Sequence, residues 1–187
     1  GVQTCALPIL GFKNLPASEV SFPSKVNFIQ ANNSKKICDI DLTQFNDPLN
    51  RYTTLKRSTL LEFLFKNVPE NQIKFNSNIT KIENANGIKV VLEDNTHEEF
   101  DYLVIADGIF SNTRSFFEKK KNEPKFKKAV AVRTILKPKT DLMIDEENIS
   151  LMMGNNCHIV IYPINKNKEL NVVSIIREKK YDPDNIK

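Results

Sequence analysis

The sequence predicts an α/β fold with a mixed sheet, and three observations carry that prediction. Residues 102–106 form a short apolar run bounded by Asp101 and Asp107, the pattern of a strand covered on both faces. Asp107-Gly108 then makes a tight turn, and Ser111 is placed to N-cap a helix over residues 112–121. Most of the remaining chain is short segments rich in Val, Ile and Tyr, separated by Asn, Asp and Pro. In open α/β sheets ligands bind outside the carboxyl ends of the strands, so Asp107 and Gly108 are where a cofactor is expected. The plainer reading is a strand that ends in an ordinary Asp-Gly turn.

Taken in order, residues 1–9 lack the basic start and long apolar centre of a signal peptide. They resemble the translation of a common sequencing adapter and are set outside the fold reasoning. Residues 26–30 and 36–42 predict a hairpin across Asn32-Asn33-Ser34, with Cys38, Ile40 and Leu42 on its half-buried face. After the turn at Asn46-Asp47-Pro48, residues 56–67 predict a helix with Leu60, Leu61, Leu64 and Val68 on one side, ended by Pro69. Short strands follow at 73–75, 79–83 and 87–93, and lead to the run at 102–106. Beyond a boundary at Asn122-Glu123-Pro124, strands are expected at 129–136, 149–153, 157–162 and 170–177, with a charged loop over 141–148. Asn165-Lys166-Asn167 joins the last two strands.

Composition narrows the function classes. With 187 residues and 40% apolar content, the chain can bury a real core. Its net charge of +4 comes largely from lysine-rich edges such as Lys119-Lys120-Lys121, without interleaved aromatics, which speaks for a solvated surface and against nucleic acid as a partner. No stretch is long and apolar enough to predict a transmembrane helix. Cys5, Cys38 and Cys157 are far apart, with only His97 and His158 to join them. Neither a metal site nor a disulfide scaffold is expected, and a cytoplasmic location fits.

Two further positions stand out. Arg57 falls in the first turn of the predicted helix, where a cation opposes the helix dipole. Its place is therefore not explained by helix stability, and the helix start also offers backbone N–H groups to an anion. The alternative is an exposed arginine on a surface helix. On the strand 157–162, His158, Val160 and Tyr162 share a face. Such a face either lines a pocket for an aromatic substrate or is the wetter side of a sheet.

The stretch D-Y-L-V-I-A-D-G-I-F-S-N-T-R, residues 101–114, resembles the Asp-Gly fingerprint of the FAD-dependent aromatic hydroxylases. This is the family of 4-hydroxybenzoate hydroxylase and the ubiquinone-biosynthesis hydroxylases. Upstream, Arg57-Ser-Thr-Leu60-Leu61-Glu-Phe-Leu64 resembles the R-x-x-L-x-x-x-L helix that precedes the fingerprint in that family.

The resemblance implies a partial FAD-binding domain of Rossmann-like, glutathione-reductase type plus a mixed β-sheet substrate domain. Residues 10–50 and 125–187 would supply the substrate-domain sheet, and 51–124 the middle of the FAD-binding domain. It implies that Arg57 contacts the flavin and that Asp107 accepts hydrogen bonds from cofactor hydroxyls. Gly108 would allow close approach, and Arg114 would hold the pyrophosphate of NAD(P)H. No residue is assigned to the chemical step. The implied reaction is hydroxylation of a phenolic ring with NAD(P)H and O2, with a small aromatic molecule as substrate and peripheral membrane contact if that substrate is a prenylated quinone precursor. The glycine-rich G-x-G-x-x-G of the family is expected before residue 10 and a second Gly-Asp motif after 187; the five glycines present build neither. A same-fold halogenase or prenyl reductase, or a non-catalytic α/β interaction domain, are the rival readings.

Overall fold

The computed structural model describes residues 14–46, 51–84, 87–118, 124–138 and 144–177. The expected leader at 1–9, most of the turn at 46–48, the first two residues of the boundary at 122–124 and the end of the helix predicted to 121 lie outside them. In chain order the strands are β1 (Val20–Ser21), β2 (Lys25–Gln30), β3 (Lys36–Asp41), β4 (Thr54–Leu55), β5 (Ile79–Asn84), β6 (Ile88–Leu92) and β7 (His97–Phe100). They continue with β8 (Ala129–Leu136), β9 (Ile149–Met153), β10 (Cys157–Pro163) and β11 (Leu170–Arg177), and the α-helix α1 spans Arg57–Phe65. The mixed α/β class is as the sequence predicts. The chain divides into two compact units, one running to Val68 and resuming at Lys128, the other Pro69–Lys127.

The first unit is built on a six-stranded sheet of order β3-β2-β9-β10-β11-β8. All its pairs are antiparallel except β2 with β9, where Val26 lies opposite Ile149. That parallel pair is fastened at its start by Asn148. Its Oδ1 accepts from the Ser24 N–H at 3.0 Å, the Ser24 hydroxyl at 2.9 Å and the Lys25 N–H at 3.2 Å. Asp145 in turn accepts from the Asn148 and Asn27 side-chain amides, each at 3.0 Å. A buried polar side chain is stable only with such partners.

The apolar core lies at one end of this sheet, where Val20, Leu42, Ile149, Ile161, Ile164 and Leu170 are buried. The β1–β4 ribbon packs there, and the Thr54 hydroxyl donates to the Pro163 carbonyl at 2.5 Å.

Two expectations in this unit are corrected. β3 is exposed along its whole length instead of half-buried, because it is the edge strand; of the face holding Cys38, Ile40 and Leu42, only Leu42 is buried. The inward face of α1 is Thr59, Leu60, Phe63 and Leu64, whereas Leu61 and Val68 are exposed. Residues three and four apart share a helix face, and Phe63 rather than Leu61 completes that stripe.

The second unit is an antiparallel meander, β5-β6-β7, with Val90 and Leu92 buried. Its last strand, at His97–Phe100, has no counterpart among the predicted elements. Residues 73–75 are irregular, and so is the run at 102–106, where Tyr102 is 89% and Val104 88% exposed. A strand requires backbone partners along its edges, and among the described residues no strand pairs with either segment.

Candidate functional site

The turn at Asp107-Gly108 is built from local hydrogen bonds. Gly108 has φ +84°, a region that side-chain-bearing residues seldom enter. Among the described residues, nothing beyond its two chain neighbours lies within 4 Å of the position a Cβ would take, so backbone conformation demands the glycine. The Ser111 N–H donates to the Gly108 carbonyl at 3.2 Å and closes the turn.

Thr113 is buried and donates twice to Asp107 Oδ2, through its hydroxyl at 2.5 Å and its N–H at 3.4 Å. The Ser111 and Thr113 hydroxyls, in that order, hold the Asp107 carboxyl down at a pKa of about 2. Donors directed at the charged form favour it. Asp107 is thus ionised at neutral pH, and a carboxylate has room for about four hydrogen bonds.

Ser111 Oγ accepts the Arg114 N–H at 3.0 Å, the kind of bond a capping serine makes, but the residue at the N-cap position is Asn112 and not Ser111 as the sequence predicts. The helix itself differs: the described residues hold a 3-10 turn, Thr113–Phe116, in place of the first part of a longer α-helix. Even so, Arg114 points back at the turn, and its Nη2 donates to the Gly108 carbonyl at 3.3 Å.

Asp107, Gly108, Ser111 and Arg114 therefore border one open cleft of about 490 Å³, which Phe117 and Glu118 also line. It joins an acceptor for ligand hydroxyls to a planar donor fork suited to an oxyanion. Its volume lies in the range of small-molecule and cofactor sites, roughly 300–1,000 Å³. The group that sequence reasoning missed is Thr113. Its only signal is the habit of Thr side chains of bonding to nearby groups of the chain.

The other predicted residues sit in the first unit. Arg57 is the exposed first residue of α1, and its guanidinium has no hydrogen-bond or ion-pair partner among the described residues. His158 and Tyr162 lie on one face of β10, opposite Ile175 and Asn171 of β11. His158 borders a small cleft of about 180 Å³ with Gly154, Asn156 and Arg177; Tyr162 does not. No group of three or more His, Cys, Asp or Glu among the described residues is arranged to hold a metal ion.

No family model matches the chain. Salicylate hydroxylase of Pseudomonas putida is 27% identical over 142 residues, covering 68% of this chain and 32% of that protein. The FAD-dependent monooxygenase pigN of Monascus ruber is 26% identical over 132 residues, covering 65% and 30%. The chain thus spans about a third of the length of these curated relatives.

Among solved structures, HpxO of Klebsiella pneumoniae complexed with FAD and uric acid superposes with a TM-score of 0.77 at 14% identity, covering 98% of this chain and 48% of that one. For 2,6-dihydroxypyridine-3-hydroxylase of Arthrobacter nicotinovorans the TM-score is 0.74 at 14% identity, with coverage of 97% and 46%. A salicylate hydroxylase substrate complex gives 0.75 at 17%, with coverage of 94% and 46%. The fold is the one these enzymes share.

Proposed function

We propose that the chain is part of an FAD-dependent monooxygenase that hydroxylates an aromatic ring with NAD(P)H and O2. The observation that carries this reading is the Asp107-Gly108 turn. An ionised carboxylate held by Thr113, a glycine at φ +84° and an arginine folded back on the turn border one cleft. The fingerprint at 101–114 and the names of the two sequence relatives support the same conclusion. A same-fold halogenase or prenyl reductase has less in its favour, since both relatives are a hydroxylase and a monooxygenase.

The residues present fit the cofactor. Asp107 accepts hydrogen bonds from its sugar hydroxyls, a role its ionised state suits and one that a phosphate, sharing its charge, would not fill. Gly108 leaves the space for close approach. Arg114 takes the pyrophosphate of NAD(P)H, and Arg57, whose donor fork is unpaired among the described residues, takes the flavin end of FAD. FAD supplies the redox chemistry, and the protein binds, orients and excludes water.

His158 and Tyr162 line the aromatic substrate's side of the sheet. In this reading residues 10–50 and 125–187 form the substrate domain and 51–124 the middle of the FAD domain. The protein is cytoplasmic; a prenylated quinone precursor as substrate, as in ubiquinone biosynthesis, brings it to a membrane surface. No helix among the described residues is long and apolar enough to cross one.

Arg114 supplies a test. In the whole protein, Arg114→Ala keeps its flavin but needs more NAD(P)H for half-maximal flavin reduction, since a phosphate contact is lost only when that cofactor binds. Rapid-mixing measurement of flavin reduction against NAD(P)H concentration reads this directly. Normal reduction at every concentration would return Arg114 to a purely structural role in the turn.

A further inference from the structure

The start of α1 is held by the loop between β10 and β11. Lys56 is its N-cap residue, and it supplies no side-chain cap. Lys56 and Arg57 together place two cations where the helix dipole disfavours them. Local sequence therefore does not secure this helix start, and two long-range contacts do. One is the Thr54 hydroxyl on the Pro163 carbonyl. The other is the Lys56 ammonium on Glu169 Oε2 at 2.6 Å, with about a quarter of each side chain exposed.

Glu169 is itself fixed. The buried Asn165 donates its side-chain amide to the same Oε2, and Asn165 Oδ1 accepts the Glu169 N–H at 3.3 Å. The Glu169 carbonyl accepts the Ile164 N–H at 3.0 Å. Of the two adjacent cations, Glu169 engages Lys56, and the Arg57 guanidinium has no partner among the described residues.

We infer that Glu169, oriented by Asn165, is a positioning residue for Arg57. By engaging Lys56 it fixes where α1 begins and presents the Arg57 guanidinium already placed for an anionic or carbonyl-bearing ligand. The inference rests on the proposed role of Arg57 toward FAD, and two readouts separate the fate of each.

The first readout is hydrogen exchange at the Leu60 amide, which donates to the Lys56 carbonyl at 3.1 Å and reports the first turn of α1. Glu169→Gln and Lys56→Met should each speed exchange there, and Lys56→Arg, which keeps the ion pair, should not. The second is the FAD dissociation constant of the whole protein. Glu169→Gln should weaken binding by about two- to fivefold when Arg57 is present, the scale of a partly exposed ion pair. In an Arg57→Ala background it should change nothing, because coupled residues do not act additively.

Equal weakening in both backgrounds would make Glu169 a general stabiliser and overturn the inference, as would unchanged Leu60 exchange. If Arg57→Ala alone left FAD binding intact while Leu60 exchange still rose in Glu169→Gln, the flavin role of Arg57 would fall. The fastening of α1 by Glu169 would stand.

Discussion

At the residue scale, Asp107 decides how the turn behaves with pH. Its carboxyl is lowered to about 2 from the usual 3.8 by the Ser111 and Thr113 hydroxyls. A depressed carboxyl contributes stability above its unfolded pKa, and that contribution is lost as pH falls through the folded one. The turn should therefore keep its Asp107–Thr113 bonds at pH 3.5 and release them only near pH 2. An NMR titration of the Asp107 side-chain carboxyl checks this, with a midpoint at the ordinary aspartate value as the contrary result. Thr113→Val should move the midpoint upward, because it removes one of the two hydroxyls.

Gly108→Ala is the complementary change. No described residue crowds its Cβ, so the expected cost is backbone strain, about 1 kcal/mol or somewhat more. It should appear as faster exchange of the Ser111 amide, which closes the turn on Gly108. Unchanged exchange would mean that the turn relaxes without penalty. The turn at Asp107-Gly108 was legible in the sequence because Asp-Gly favours a tight turn, although the strand expected before it does not form among the described residues. Thr113 was not, since a threonine six residues from an aspartate carries no periodic signal.

At the element scale, the strands formed by local pattern were the readable ones. The segments predicted at 129–136, 149–153, 157–162 and 170–177 are strands β8 to β11, because alternating β-branched residues fit a pleated sheet wherever it lies. What pattern cannot supply is the neighbour. β3 alternates like a half-buried strand yet lies at an edge, and residues 102–106 are apolar yet unpaired among the described residues. Both errors have one source, since burial belongs to the layers on either side of a segment and not to the segment.

The start of α1 shows the same rule from the other direction. No local cap announces it; it is held by Glu169, more than a hundred residues on.

At the scale of the whole molecule, the chain spans about half the length of the solved structures it superposes on. Its five glycines build no G-x-G-x-x-G, so it carries no backbone cradle of that kind for a pyrophosphate. By itself the chain should show no FAD binding in a fluorescence titration at micromolar concentrations. Binding there would mean that the turn and its cleft suffice without such a cradle.

In the proposed function the Asp107-Gly108 turn is a flavin site. The direct measurement is the FAD dissociation constant of the whole protein with Asp107→Ala, beside Thr113→Val as a control that loosens the turn but keeps the carboxylate. A hydrogen bond to a charged group is among the stronger ones, so Asp107→Ala should weaken FAD binding roughly tenfold to hundredfold, and Thr113→Val clearly less. An unchanged constant in Asp107→Ala, or an equal loss in both variants, would contradict the assignment and leave Asp107 as the anchor of an ordinary turn.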